Sequence, residues 1–269
     1  MLKLAVLGAS GRMGRAILGC VAEADDFRLT GAVTQSGDPT IGRDAGEAAG
    51  LAPFGVPLTD DRQQALHGAQ VAVDFTLPTA LEANVKACVE TGTALVVGTT
   101  GLEKRHFDAM ERAAHQIPIV YGRNMSVGVN LFMELVARAA RALGDEYDVE
   151  IVEAHHRHKV DAPSGTALAL GERVAEAKGR PLKDLAVYTR QGRTGPRVPS
   201  TIGFSVIRGG NIVGDHSVLF IAGDEQVEFV HRARDRRAFA RGALRAARWV
   251  AGRAPGYYSM ADVLASQRA

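Results

Sequence analysis

The chain has 269 residues, of which 46% are hydrophobic and 23% charged, and a formal net charge of +2. That is room for one large domain or two modest ones of ordinary globular composition, and it excludes a global electrostatic drive toward nucleic acid or acidic membranes. Cys20 and Cys88 are too few for a disulfide scaffold, the apolar N-terminus is too short for a signal peptide, and no uninterrupted apolar stretch approaches the roughly 18 residues of a membrane span, so a cytoplasmic protein is expected.

In chain order, residues 2–7 form a short apolar run ended by Gly8, which reads as a buried strand. Residues 12–24 read as a helix and 27–34 as a second strand. The segment 36–59, rich in Gly, Pro and Asp, reads as loop or short irregular structure. Strands are predicted at 71–75, 94–97 and 117–121, with helices at 79–90 and 102–115 between them. Strand and helix in alternation predict right-handed crossovers and a parallel sheet.

After Asn124 the pattern changes. Residues 127–143 carry apolar side chains at helical spacing, and 148–152 form a strand leading into a His-rich segment. A helix is predicted over 164–178. Strands at 202–207, 217–221 and 226–230 follow, with turns marked by Asn211 and Gly214 and by Gly223-Asp224. Neighbouring strands of this kind predict a second, partly antiparallel sheet. Residues 236–250 return to helix, and the Arg-rich run 232–248, broken by Asp235, Ala and Phe, reads as its solvated face.

Gly8-Ala9-Ser10-Gly11-Arg12-Met13-Gly14 links the first strand to the first helix. The G-x-x-G-x-x-G spacing permits a tight turn and lets backbone approach a pyrophosphate at the helix N-terminus. A Gly-rich turn needed only for packing would look similar. At the end of the second strand an acidic residue would bind the ribose of NAD and an Arg would accept the phosphate of NADP. The chain reads Ala32-Val33-Thr34-Gln35-Ser36 there, so neither signal is present. Arg12 and Arg43 remain within reach of a 2′-phosphate, and NADH and NADPH both stay open. Gly98-Thr99-Thr100-Gly101 and Tyr121-Gly122-Arg123-Asn124-Met125 follow later strands. Each suits either contact with the nicotinamide end or an ordinary turn.

Residues 153–167 are the most informative stretch. His155, His156, Arg157, His158 and Lys159 stand just before Pro163-Ser164-Gly165-Thr166, the start of a helix. Cationic groups beside a helix N-terminus suit a small, multiply charged anion, and His and Lys can deliver protons near neutral pH. Each also has a plainer reading. A strand-end His packs locally, Lys159 pairs with Asp161 on the surface, and Ser164 is only an N-cap.

These motifs, with Asp74-Phe75-Thr76, residues 124–130, Thr201-Ile202-Gly203-Phe204 and residues 208–216, occur in an order that closely resembles the dihydrodipicolinate reductase family of lysine biosynthesis. The resemblance runs from near residue 3 to Asp262-Val263-Leu264, and the segment 153–167 is its most specific part. It implies an α/β fold: a Rossmann-type dinucleotide-binding domain, residues 1–126 and 236–269, with an inserted α+β substrate-binding and oligomerisation domain, residues 127–235, in a homotetramer. It implies reduction of a cyclic imine dicarboxylate to tetrahydrodipicolinate by NADH or NADPH, with loss of water. By motif, His155 would be the proton donor and Lys159 the second catalytic group. His156, Gly165 and Thr166 would bind substrate. Gly8, Ala9, Ser10, Gly11, Arg12, Met13, Thr34, Gly98, Thr99, Thr100, Gly122, Arg123, Asn124 and Met125 would line the cofactor. Thr34 and Gln35 depart from the acidic residue and Arg common in the family, and Arg123 and Met125 stand where small and aromatic residues are common.

Three rivals remain at this level. A zinc hydrolase would need H-E-x-x-H or H-x-x-E-H spacing, whereas Glu153 precedes the first His by two residues. A non-catalytic dinucleotide sensor would keep the glycine loop without needing the His, Lys, Ser and Gly set. Another imine or amino-acid dehydrogenase is the nearest enzymatic rival.

Overall fold

A computed structural model of the chain describes residues 1–265. Its elements run β1 (Leu2–Leu7), α1 (Arg12–Ala22), β2 (Phe27–Val33), α2 (Ala45–Ala48), β3 (Leu58–Thr59), α3 (Arg62–Leu66), β4 (Val71–Asp74), α4 (Pro78–Thr91), β5 (Ala94–Val97), α5 (Lys104–Ala113) and β6 (Pro118–Tyr121). They continue with α6 (Val127–Leu143), β7 (Asp148–His155), α7 (Gly165–Ala177), β8 (Ala186–Val187), β9 (Ile202–Arg208), β10 (Gly214–Ile221), β11 (Gln226–Ala233), α8 (Arg237–Val250), β12 (Gly256–Ser259) and α9 (Met260–Ala265). Two compact units result: Met1–Val127 with the chain from Arg236 onward, and Gly128–Asp235.

The first unit holds a seven-stranded sheet in the order β12-β6-β5-β4-β1-β2-β3, with all its neighbouring strands parallel. Successive side chains on a strand face opposite ways, so alternate residues feed two cores. Leu4, Val6, Val71, Val73 and Val96 pack with Ile17 and Leu18 of α1 and with Ala243, Leu244 and Ala247 of α8. Ala5, Leu7, Ala72, Leu95 and Val97 pack with Leu66 of α3, Leu81 and Val85 of α4 and Met110 of α5. Burial on both faces is why these strands read as continuous apolar runs. From β1 the chain winds outward to β2 and β3, then returns to β4 on the other side of β1. The carboxyl ends of β1 and β4 therefore flank the switch point where doubly wound sheets bind ligands.

The second unit holds a five-stranded sheet in the order β11-β10-β7-β9-β8. It is mixed: β10 is antiparallel to β7 and β11, while β9 is parallel to β7 and β8. Along β7 buried positions alternate with half-buried ones. Val149 and Ile151 of β7, Phe204 of β9 and Val218 and Phe220 of β10 pack against Phe132 and Val136 of α6 and Leu170 and Val174 of α7.

Several boundaries differ from the sequence reading. The strand expected at 148–152 runs on to His155. Gly214 is the first residue of β10 rather than part of a turn, and Ser164, Lys178 and Arg236 are caps rather than helix interior. The segment 36–59 contains α2 and β3. Among the described residues, no helix is long and apolar enough to cross a membrane.

Candidate active site

In the first unit the glycine loop closes tightly on the end of β1. Gly8 has φ +83, and the amides of Gly8 and Ala9 both donate to Val33 O, at 2.9 and 2.8 Å. A Cβ at Gly14 would lie 2.2 Å from Gly8 O and 2.6 Å from the Ala9 Cα, so no larger residue lets α1 start against this loop. The N-cap of α1 is Gly11, which makes no side-chain cap bond, so no side chain competes there with an arriving anion. Gly8, Ser10, Gly11, Arg12, Met13 and Thr34 line a cleft of about 470 Å³ together with Arg62, Phe75, Thr76 and Asn84. Backbone amides, two arginines and a cradle that admits only glycine fit a pyrophosphate-bearing nucleotide.

Other expected cofactor residues are placed differently. Thr99 is buried and its hydroxyl donates to Asp74 Oδ1 at 3.2 Å. Gly98 lies under Phe75, whose ring a Cβ would meet at 2.3 Å. Thr100 and Arg123 are exposed, and Asn124 Oδ1 accepts from the Ser126 amide at 2.9 Å. The Met125 side chain is turned into the core at 1% exposure, against Gly122 and α8, so only its backbone is left to face a ligand. Ala9 is likewise buried and offers backbone alone.

Three residues to which the sequence reading gave no site role stand here. Asp74, buried at the end of β4, accepts from the Thr76 amide and hydroxyl at 2.8 and 2.7 Å and from Asn84 Nδ2 at 2.8 Å. Burial pushes its carboxyl up, against the pull of those bonds. Arg62 lines the cleft with its Nε donating to Asn84 Oδ1 at 2.7 Å. The third is Asp38. The end of β2 lacks an acidic residue in sequence, yet Asp38 folds back so that Oδ2 accepts from Ser10 and Thr34 hydroxyls, each at 2.8 Å.

In the second unit, Glu153 and His155 sit two apart on β7 and so share its buried face. His155 Nδ1 donates to Glu153 Oε2 at 2.6 Å. Arg208, beside His155 in the β7–β9 register, donates from both terminal nitrogens to Glu153, at 2.7 and 2.8 Å. The Ser164 amide donates to Glu153 Oε1 at 2.9 Å. Burial opposes the charge on Glu153, but Arg208, His155 and Ser164 outweigh it and hold the carboxyl below its usual range. Burial lowers His155, with Glu153 pulling the other way. The outer ring nitrogen of His155 faces Gly214, where a Cβ would lie 3.1 Å from Nε2. Glycine there keeps a side chain from crowding that nitrogen.

His216 adds a second ring, edge-to-face with His155 at 5.1 Å between centroids, and its Nε2 lies 3.1 Å from Ser164 Oγ. Burial, then the neighbouring His155, push His216 down to about 3, so this ring is neutral. Ser164 caps α7 by accepting from the Ala167 amide at 3.2 Å. Gly165, exposed at the first helical position, has open space where a Cβ would point. Thr166 follows it, half-buried. Lys159 Nζ bonds both oxygens of Asp161 at 2.8 and 2.9 Å, as the plainer reading expected. His156 and His158 are neighbours, with ring centroids 6.3 Å apart. Among the described residues, no group of three or more His, Cys, Asp or Glu side chains is arranged to hold a metal ion.

A doubly wound sheet with a glycine loop at its switch point, joined in one chain to a sheet that bears a carboxylate-held histidine at a helix start, defines a dinucleotide-dependent oxidoreductase class. The comparisons with known proteins narrow it. Residues 2–125 match the family model for the dihydrodipicolinate reductase N-terminus, and residues 128–264 match that for its C-terminus. A 4-hydroxy-tetrahydrodipicolinate reductase of Alkalilimnicola ehrlichii is 55% identical over 97% of this chain and 98% of its own. One of Thiobacillus denitrificans is also 55% identical, over the same shares. The solved structure of dipicolinate-bound dihydrodipicolinate reductase from Paenisporosarcina sp. TG-14 shares the fold, with a TM-score of 0.74 at 21% identity over 96% of this chain and 97% of that one. The chain belongs to the dihydrodipicolinate reductase family.

Proposed function

We propose that the chain reduces 4-hydroxy-tetrahydrodipicolinate to tetrahydrodipicolinate with NADH or NADPH, the 4-hydroxyl leaving as water to give the conjugated imine that takes the hydride, a step of lysine and diaminopimelate biosynthesis in the cytoplasm. The observation that carries this reading, beside family membership, is the buried Glu153–His155 pair at the start of α7. The first unit is the dinucleotide-binding domain, and the second binds substrate and assembles the homotetramer.

The glycine loop holds the pyrophosphate through backbone amides at the N-terminus of α1, and Arg12 and Arg62 supply positive charge. The bound nucleotide supplies the hydride. Hydride addition to a conjugated imine builds negative charge on carbon and nitrogen, and a positioned acid neutralises it. His155 is that acid. Glu153 fixes its Nδ1, so Nε2 is the atom that delivers the proton. Lys159, released from Asp161 by a dianionic substrate, stabilises the developing charge. One substrate carboxylate rests on the amides of Gly165 and Thr166, where the helix dipole favours an anion and the missing Cβ of Gly165 allows close approach. His156 contacts the substrate from the adjoining loop.

A coupled assay tests the reading. Substrate generated enzymatically from pyruvate and aspartate semialdehyde should drive oxidation of NADH or NADPH by the purified chain. His155→Ala should lower turnover by about 10² to 10⁴-fold, the usual worth of a general acid, with nucleotide affinity unchanged. Equal loss of turnover and nucleotide binding would remove His155 from the acid role.

A further inference from the structure

The oxygens at the far end of the glycine-loop cleft are one proton short. Ser10 Oγ lies 2.6 Å from Thr34 Oγ1, and each lies 2.8 Å from Asp38 Oδ2. Asp38 stays ionised: bonds from the Thr40 side chain and amide, then from Thr34 and Ser10, hold its carboxyl far below the usual range. A carboxylate brings no hydrogen and each hydroxyl brings one. Three close oxygen pairs therefore share two protons, and one pair has no hydrogen between its lone pairs. A hydroxyl arriving from outside would find acceptor lone pairs there and bring its own hydrogen.

Two members of this triad line the cleft: Ser10 in the glycine loop and Thr34 just past β2. In doubly wound domains that corner receives the adenosine ribose, once the pyrophosphate rests on the first helix. We propose that Asp38, acting with Ser10 and Thr34, receives the ribose 2′-hydroxyl and makes NADH the preferred nucleotide. This rests on the reductase reading above and deepens it by assigning nucleotide choice. A ribose 2′-hydroxyl can donate to this carboxylate. A 2′-phosphate is mostly deprotonated at neutral pH and sets negative charge against a carboxylate whose partners are Ser10, Thr34 and Thr40, with no Lys or Arg among them. Arg12 and Arg62 face the same cleft, but the pyrophosphate they serve is common to both nucleotides.

Fluorescence titration of NADH and NADPH into the purified chain reads this directly, without turnover. The unsubstituted chain should bind NADH about tenfold or more tighter than NADPH, as one charge-assisted hydrogen bond can supply. Asp38→Asn should weaken NADH about tenfold and bring the two affinities within about threefold of each other, and Asp38→Ser should do the same. Thr40→Ala removes a loop bond to the other carboxylate oxygen and leaves the Ser10 and Thr34 contacts, so it should keep the original ratio. Tighter binding of NADPH by the unsubstituted chain, an unchanged ratio in both Asp38 variants, or an equal shift in Thr40→Ala would each overturn the assignment of Asp38. Binding of neither nucleotide to the unsubstituted chain would overturn the dinucleotide reading with it.

Discussion

At His155 two opposing influences meet. Burial disfavours the imidazolium, while the Glu153 carboxylate at 2.6 Å favours it, and burial wins in the chain without substrate. A dicarboxylate arriving at the start of α7 adds negative charge, which favours protonation just where the acid is needed. Glu153→Gln keeps the shape and removes the charge, so His155 should titrate at lower pH. The limb of the kcat/KM profile that falls with rising pH should then move to lower pH by about one unit, with kcat down roughly 10- to 100-fold, on the scale of general-acid help. A limb that stays in place in Glu153→Gln would mean Glu153 does not set the charge of His155. The histidine and lysine were visible in the sequence because their types cluster within five positions. Their partners were not. Glu153 joins His155 only because β7 runs on to residue 155, and Arg208 reaches Glu153 across 55 residues of chain. Asp38 lies beyond the strand end where an acidic residue is sought, and only the fold-back of its loop brings it to Ser10.

One helix carries two glycines with opposite demands. In α1, a Cβ at Gly14 would collide with the backbone of Gly8 and Ala9, whereas one at Gly19 would meet nothing within 4 Å. Gly14→Ala should destabilise the chain by about 1–3 kcal/mol through overpacking and abolish nucleotide binding. Gly19→Ala should stabilise it by about 0.5–1 kcal/mol through helix propensity. Denaturant midpoints for the pair check both signs, and equal effects would mean that the loop can move aside. Elements with a long pattern were legible. β1, β4 and β5 are apolar at nearly every position because both faces are covered, and α6 shows helical spacing over 17 residues. Elements too short to show a period were not. α2, α3 and β3 have 4, 5 and 2 residues, and β12, Gly-Tyr-Tyr-Ser, gains its place only by pairing with β6 at the sheet edge.

For the molecule as a whole, the second sheet leaves one face without helices of its own unit. Across β11, β10, β7 and β9 that face carries Val230, Ser217, Val152 and Ser205 in one row, with Leu219 and Ile207 in the rows beside it. Val230 and Ile207 are 43% and 52% exposed. That face is mixed, with Glu150, Glu228, Asp215 and Arg232 in the same rows, and a helix-free face with exposed Val230 and Ile207 supports the homotetramer proposed above. Val152→Lys, at its centre, should reduce the species seen by sedimentation to dimer or monomer while the fold persists. A tetramer that survives the substitution would move the interface elsewhere. The sequence signalled the two units through the change of pattern after Asn124, but the exposed face could be recognised only once strand register was known. The return of the chain to its first unit also has a consequence for synthesis. β1 to β6 are complete by Tyr121, yet α8, which covers one of their two faces together with α1, begins at Arg237. At about 5–20 residues per second this leaves the incompletely covered sheet waiting roughly 6–23 s on the ribosome. By the end of that interval the inserted unit has all its strands, so the later sequence is the first able to finish folding, and the dinucleotide site is among the last parts of the newborn chain to form.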